Sequence, residues 1–191
     1  MAEIRTIAVI GAGSRGRDIA QLCARGRFRT ILEDILPASL RRAEGEIRAG
    51  FDLAVAVGQL SRAAADLALG RIEYAGSVEE AARKADLVIE AVPDELESKI
   101  EILTLLDKVA KPATILALSS DRLSVSELAS VTYRAEKILG MRFWVPAEGT
   151  ELLEIVRGKK TAAQIAAACA DAGHKMGVRV MVRDEAPFPQ G

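Results

Sequence analysis

Thr6-Ile7-Ala8-Val9-Ile10-Gly11-Ala12-Gly13-Ser14-Arg15-Gly16 carries an aliphatic run straight into a glycine-rich turn. Five successive β-branched or aliphatic residues predict a strand buried on both faces, as parallel sheets require. Gly11 then permits the tight turn, Gly13 lets backbone approach a pyrophosphate, and Gly16 allows close packing of helix on strand. With Ser14 and Arg15 they open a helix, whose free N–H groups and partial positive charge suit phosphate. Strand, turn and helix stand in register, which lifts the pattern above a bare GxGxxG. The fingerprint also asks for an acid about 20 residues on, at the end of the second strand. Glu33 and Asp34 both qualify. A carboxylate there accepts from ribose hydroxyls and repels a 2′-phosphate, so NAD is favoured, with Arg29 and Arg42 keeping NADP as the minor alternative.

Outward from this turn, short aliphatic runs alternate with longer amphipathic ones. Strands are predicted at Thr30–Leu32, Ile72–Tyr74, Leu87–Ile89, Thr114–Ala117, Lys137–Phe143, Leu152–Val156 and Val178–Val182. Helical periodicity runs through residues 15–24, 39–69 and 95–109, the second opened by Pro37 and broken near Gly50 or Gly58. Ser77–Glu80, Ser124–Glu127 and Thr161–Gln164 read as capping boxes opening three more helices. Alternating strands and helices imply βαβ units. The expected fold is therefore a Rossmann-type α/β domain: a doubly wound, mostly parallel sheet with helices on both faces. It fills residues 1–185 and leaves a short tail at 186–191.

Composition narrows the function. The 191 residues carry 26 basic and 27 acidic side chains, a net charge of -1, and are half hydrophobic but only 4% aromatic. Such a chain buries about 70% of its unfolded surface without staples. Near-zero charge argues against nucleic acid or an anionic membrane as partner. No apolar run reaches the roughly 18 residues of a membrane span, and no signal peptide is expected. Cys23 and Cys169 fall in helical stretches and read as buried reduced thiols, which fits a cytoplasmic protein without a metal site. The lone His174 is expected in a turn before the last strand, facing solvent. The mixed charges of Arg41 to Arg48 form a solvated helix face. Trp144, at a strand end, reads as core.

Several blocks together resemble the NAD-binding domain of 3-hydroxyacyl-CoA dehydrogenases: Ile7 to Gly16, Leu87 to Pro93, Leu123 to Leu128, Gly140 to Pro146, and Leu153 to Gly158. The resemblance spans Ile4 to about Asp184. It implies NAD as cofactor, hydride transfer to or from a 3-hydroxyacyl thioester, and a place in fatty acid metabolism. On that pattern Asp34 takes the ribose position, with Asp94 and Lys99 at cofactor positions after the fourth strand. The family's catalytic histidine falls on Arg142 and its asparagine on Val145, while the glutamate that holds the histidine remains as Glu154. The family's substrate-contacting serine falls on Asp121, so Ser119 or Ser120 must stand in through a shift of one or two residues.

A guanidinium has no acceptor lone pair at neutral pH, so Arg142 cannot take a hydroxyl proton as imidazole does. Losing a positioned base costs about 10²–10⁴ in rate. Arg142 is therefore expected to pair with Glu154 in a bidentate fork, or else to bind an anion. Glu154, Arg142 and Ser120 are the candidate catalytic residues. The family continues into a helical domain that closes the cleft and supplies a dimer interface, and 186–191 lies at that threshold. Two readings stand: an impaired oxidoreductase, or a silent NAD(H)-binding module. The expected ligands are NAD(H) and an acyl-CoA or other anionic small molecule, with a second copy or a separate helical chain as partner.

Overall fold

A computed structural model describes residues 3–144 and 151–186. Among them eight strands form one sheet: β1 (Thr6–Ile10), β2 (Arg29–Glu33), β3 (Ile72–Ala75), β4 (Leu87–Glu90), β5 (Ile115–Leu118), β6 (Ile138–Trp144), β7 (Leu152–Arg157) and β8 (Arg179–Asp184). Their spatial order is β3-β2-β1-β4-β5-β6-β7-β8. β1 to β6 are parallel; β7 runs antiparallel to β6, and β8 follows β7 in parallel. The strand order reverses between β1 and β4, and a crevice opens at the carboxyl ends of strands at such a switch point.

Every residue of β1, β4 and β5 is buried, as expected for strands covered on both faces. On one face, Ile7 and Val9 pack beneath helices α1 (Ser14–Arg25), α2 (Pro37–Ala56) and α3 (Arg62–Leu69), with α7 (Ala163–Met176) covering the β7 side. On the other, Ala8 and Ile10 meet α4 (Val78–Lys84), α5 (Leu96–Val109) and α6 (Val125–Ala129). A fully buried Ile or Leu contributes about 1.5–3 kcal/mol, so these two layers carry the fold.

Local signals explain most boundaries. Pro37 sits in the first turn of α2, and Ser77 and Ser124 Oγ accept the N–H of Glu80 and Glu127. The 39–69 stretch breaks at Gly58, in the left-handed region at φ +75°, while Gly50 stays inside α2. Three expectations are corrected. Thr161 does not cap α7: its Oγ1 accepts from Gly158 N–H and donates to the Ile138 carbonyl, which pins the β7–α7 turn instead. His174 is helical, on the exposed face of α7, because the helix runs on to Gly177, which ends it at φ +82°. Trp144 is not core, being 51% exposed at the end of β6. No helix of the described residues is long and apolar enough to cross a membrane.

Candidate functional site

The glycine turn closes by backbone contact. Gly11 adopts φ +100°, and its N–H donates to the Glu33 carbonyl at 2.8 Å. A Cβ on Gly16 would lie 1.8 Å from the Gly11 carbonyl oxygen, so only glycine lets α1 start there. Gly13 differs: a Cβ there would meet no atom within 4 Å and would project into open space. The N-terminus of α1 has no side-chain cap, which leaves its first N–H groups to an outside acceptor. Open backbone at Gly13 and an uncapped helix start fit a pyrophosphate.

A cleft of about 550 Å³ runs from Asp34 past Gly13, Ser14 and Arg15 to Asp94. The Asp34 carboxylate is fixed at one end, accepting from Ala12 N–H at 3.0 Å and Leu36 N–H at 2.9 Å. Arg42 and Ser39 reach the same end from α2. At the other end, Asp94 Oδ1 is buried without a hydrogen-bond partner. Burial pushes the Asp94 carboxyl up, but the Ser120 hydroxyl, Lys99 and the Asp121 backbone outweigh it and hold the group below its ordinary range.

Lys99 does not line the cleft. It is fully buried, donating to Glu90 at 2.7 and 2.9 Å, with Asp94 Oδ1 3.7 Å away. It acts from beneath, as the counter-charge for two carboxylates. Arg15 lines the cleft and crosses to the loop after β5. There it donates to the Ser119 carbonyl at 3.0 Å and to Asp121 at 2.7 Å.

Beyond that loop, β6, β7 and β8 assemble a charged cluster. Arg142 and Glu154 are direct partners across the antiparallel β6–β7 ladder. Arg142 Nη1 reaches Glu154 at 3.2 Å, and its Nε donates to the Ser120 carbonyl at 2.7 Å. The expected ion pair is present, but the fork belongs to Arg183 on β8, which donates to both Glu154 oxygens at 2.6 and 3.3 Å. Arg183, then Arg142, keep the Glu154 carboxyl below its ordinary range. Sequence reading missed Arg183, because its approach depends on β8 pairing with β7 two residues out of line with Glu154. Ser120 is buried, its Oγ accepting from Leu123 N–H at 3.0 Å, so its hydroxyl braces the loop that Arg142 holds. Val145 lies outside the described residues.

A family model described as 3-hydroxyacyl-CoA dehydrogenase, NAD binding domain, matches residues 6–186. This chain belongs to that family. The cofactor of this family's domain is NAD. A probable 3-hydroxybutyryl-CoA dehydrogenase of Bacillus subtilis (strain 168) is 31% identical over 175 residues, covering 92% of this chain and 61% of the relative. The 3-hydroxyadipyl-CoA dehydrogenase of Escherichia coli (strain K12) is 33% identical over 165 residues, covering 86% and 34%. The crystal structure of (S)-3-hydroxybutyryl-CoA dehydrogenase from Ralstonia eutropha superposes with a TM-score of 0.92 at 29% identity, over 97% of this chain and 65% of that one. The chain thus spans less than two thirds of each of these relatives.

Proposed function

We propose that this 3-hydroxyacyl-CoA dehydrogenase NAD-binding domain holds NAD(H) but is impaired in its relatives' hydride transfer. The observation that carries this is the Arg142–Glu154–Arg183 cluster. Glu154 is saturated by two guanidinium groups, and neither can accept a substrate proton. When bound, NAD(H) supplies or accepts the hydride. The chain's own residues supply the pyrophosphate turn, Asp34 for the ribose and a fixed cation at Arg142. That cation suits an acyl-CoA or another anionic small molecule as ligand. Asp94 and Lys99 set the charge of the inner end of the cleft, and Ser120 braces its rim.

The same reading makes the chain a cytoplasmic module of fatty acid metabolism, consistent with free buried thiols at Cys23 and Cys169. It acts with a second copy or a helical partner, consistent with the half-exposed Trp144, Met181 and Val182 at one end of the sheet. On this reading residues 1–185 make up the NAD-binding domain, with 186–191 following it. Calorimetric titration with NADH and NADPH, followed by NADH oxidation with acetoacetyl-CoA, tests the proposal. Tight NADH binding, clear preference over NADPH and negligible turnover are expected. Turnover in the ordinary enzyme range, about 1–10³ s⁻¹, would overturn the impairment.

A further inference from the structure

Behind the cleft lies a second chamber of about 370 Å³, within the size range of small-ligand pockets. It shares Gly11, Asp34, Val92 and Pro93 with the cleft, so the two adjoin. Its walls are aliphatic: Ile35 beyond β2, Val78 at the start of α4, and Ile102 and Leu105 on α5. One ionisable side chain lines it from the sheet. Glu33 precedes Asp34, and successive strand residues face opposite ways, so Asp34 addresses the glycine turn while Glu33 belongs to the α4–α5 face.

Glu33 is only 3% exposed as a residue, its carboxyl makes no hydrogen bond among the described residues, and its oxygens open onto the chamber. A buried carboxyl without a partner is costly, and it needs either a proton or a ligand group that completes its bonding. The dinucleotide brings such a group here. Asp34 takes the adenosine ribose, and the base on that ribose must leave into the apolar space beside Asp34. An adenine offers a flat apolar face to Ile35, Val92 and Ile102. On its edge it offers an amine donor next to a ring-nitrogen acceptor.

We propose that Glu33 is the residue that reads the adenine of the cofactor, its carboxylic acid donating to a ring nitrogen and accepting from the exocyclic amine. The inference rests on the NAD assignment and extends it to one unassigned side chain. The charges around the chamber agree. Asp34 on the same strand, Glu79 on α4 and Glu101 on α5 are all acidic, and no Lys, Arg or His lines the chamber among the described residues. Burial first, then Asp34 and Glu79, push the Glu33 carboxyl up to about 7. Adenine seals the neutral acid beneath it, so cofactor binding above pH 7 takes up a proton at Glu33.

Calorimetry on the full chain tests this with three probes: NADH, ADP-ribose, which keeps the adenosine half, and reduced nicotinamide mononucleotide, which lacks it. Wild-type affinity for NADH and ADP-ribose is expected to fall about tenfold from pH 6 to pH 8.5, the scale of one good hydrogen bond. Titration in two buffers of different ionisation enthalpy should show proton uptake at pH 7.5. Glu33→Gln keeps a donor and an acceptor, and should bind both adenosine ligands with a flat pH profile and no proton uptake. Glu33→Leu should weaken both about tenfold and leave the mononucleotide unchanged. The inference is overturned if Glu33→Gln retains the wild-type pH profile, or if Glu33→Leu weakens the mononucleotide as much as ADP-ribose. Equal, tight binding of NADH and ADP-ribose by wild type and Glu33→Leu overturns it while leaving the NAD assignment intact. Failure of wild type to bind either overturns both.

Discussion

Arg183 closes on both carboxylate oxygens of Glu154, at 2.6 and 3.3 Å, from the strand next to the one that carries Glu154. An acid gripped in this way is no longer free to orient an imidazole. The cluster carries two guanidinium groups against one carboxylate, all less than two-fifths exposed. From this cluster Arg142 also donates to the Ser120 carbonyl at 2.7 Å, in the loop after β5.

Restoring the imidazole should therefore restore some chemistry. Arg142→His is expected to raise NADH oxidation with acetoacetyl-CoA by about 10²-fold, the low end of what a positioned base contributes. Arg183 still competes for Glu154, and residue 145 remains valine. Pairing Arg142→His with Arg183→Leu should exceed the single variant. Steady-state assays in which neither variant outpaces wild type would remove the histidine argument.

The buried Lys99–Glu90 pair should dominate stability among single charges. Lys99→Met leaves Glu90 buried with its ionic partner gone, a change that costs about 3–5 kcal/mol. Replacing both partners with apolar residues of similar volume should recover most of that loss. Urea unfolding of the single and double variants measures the difference. A single variant within about 1 kcal/mol of wild type would show that water reaches the pair.

Two glycines of the turn, Gly13 and Gly16, should fail differently. Gly13→Ala adds a methyl that meets nothing, so stability should hold within about 0.5 kcal/mol. NADH affinity should nonetheless drop about tenfold or more, because the methyl stands where the pyrophosphate approaches. Gly16→Ala drives a methyl into the Gly11 carbonyl and should cost about 2–4 kcal/mol of stability. Thermal melts with and without NADH separate the two outcomes.

Stability should also carry a signature of Glu33. Its folded carboxyl is raised to about 7 against an ordinary 4.5, so the folded state binds that proton more tightly. This contribution is fully present below pH 4.5 and is lost as pH rises through 7. The full shift corresponds to roughly 3 kcal/mol, and solvent reaching the chamber reduces it to about 1–2 kcal/mol. Glu33→Gln should flatten the slope between those pH values in chemical denaturation. An unchanged slope would mean that Glu33 is solvated in the folded chain.

The glycine turn, the order of elements and the NAD cofactor were legible because each is local: a strand, three glycines and an acid at set spacings. Arg142 beside Glu154 followed from the resemblance, which put them at the positions of the histidine and the glutamate that holds it; their place opposite each other came from the β6–β7 register. Arg183 did not, because its role needs the register of β8 on β7, a non-local fact. Composition and spacing left Glu33 and Asp34 alike, and only the resemblance favoured Asp34; the chamber that Glu33 lines is enclosed by segments distant in sequence and could not be read there. Lys99 read as a cofactor contact, yet the fold turns it inward to Glu90. Thr161 matched a capping pattern, but β6 offered its hydroxyl a better acceptor.

The last strand has a consequence for handling the protein. Among the described residues β8 ends the sheet, and an end strand leaves a row of backbone donors and acceptors able to recruit another strand. Met181 and Val182 are half-exposed there, which would favour such growth. Arg179, Arg183 and Asp184 interrupt the same six residues with charge. Concentrated solutions should stay clear at low ionic strength and turn cloudy as salt screens those charges.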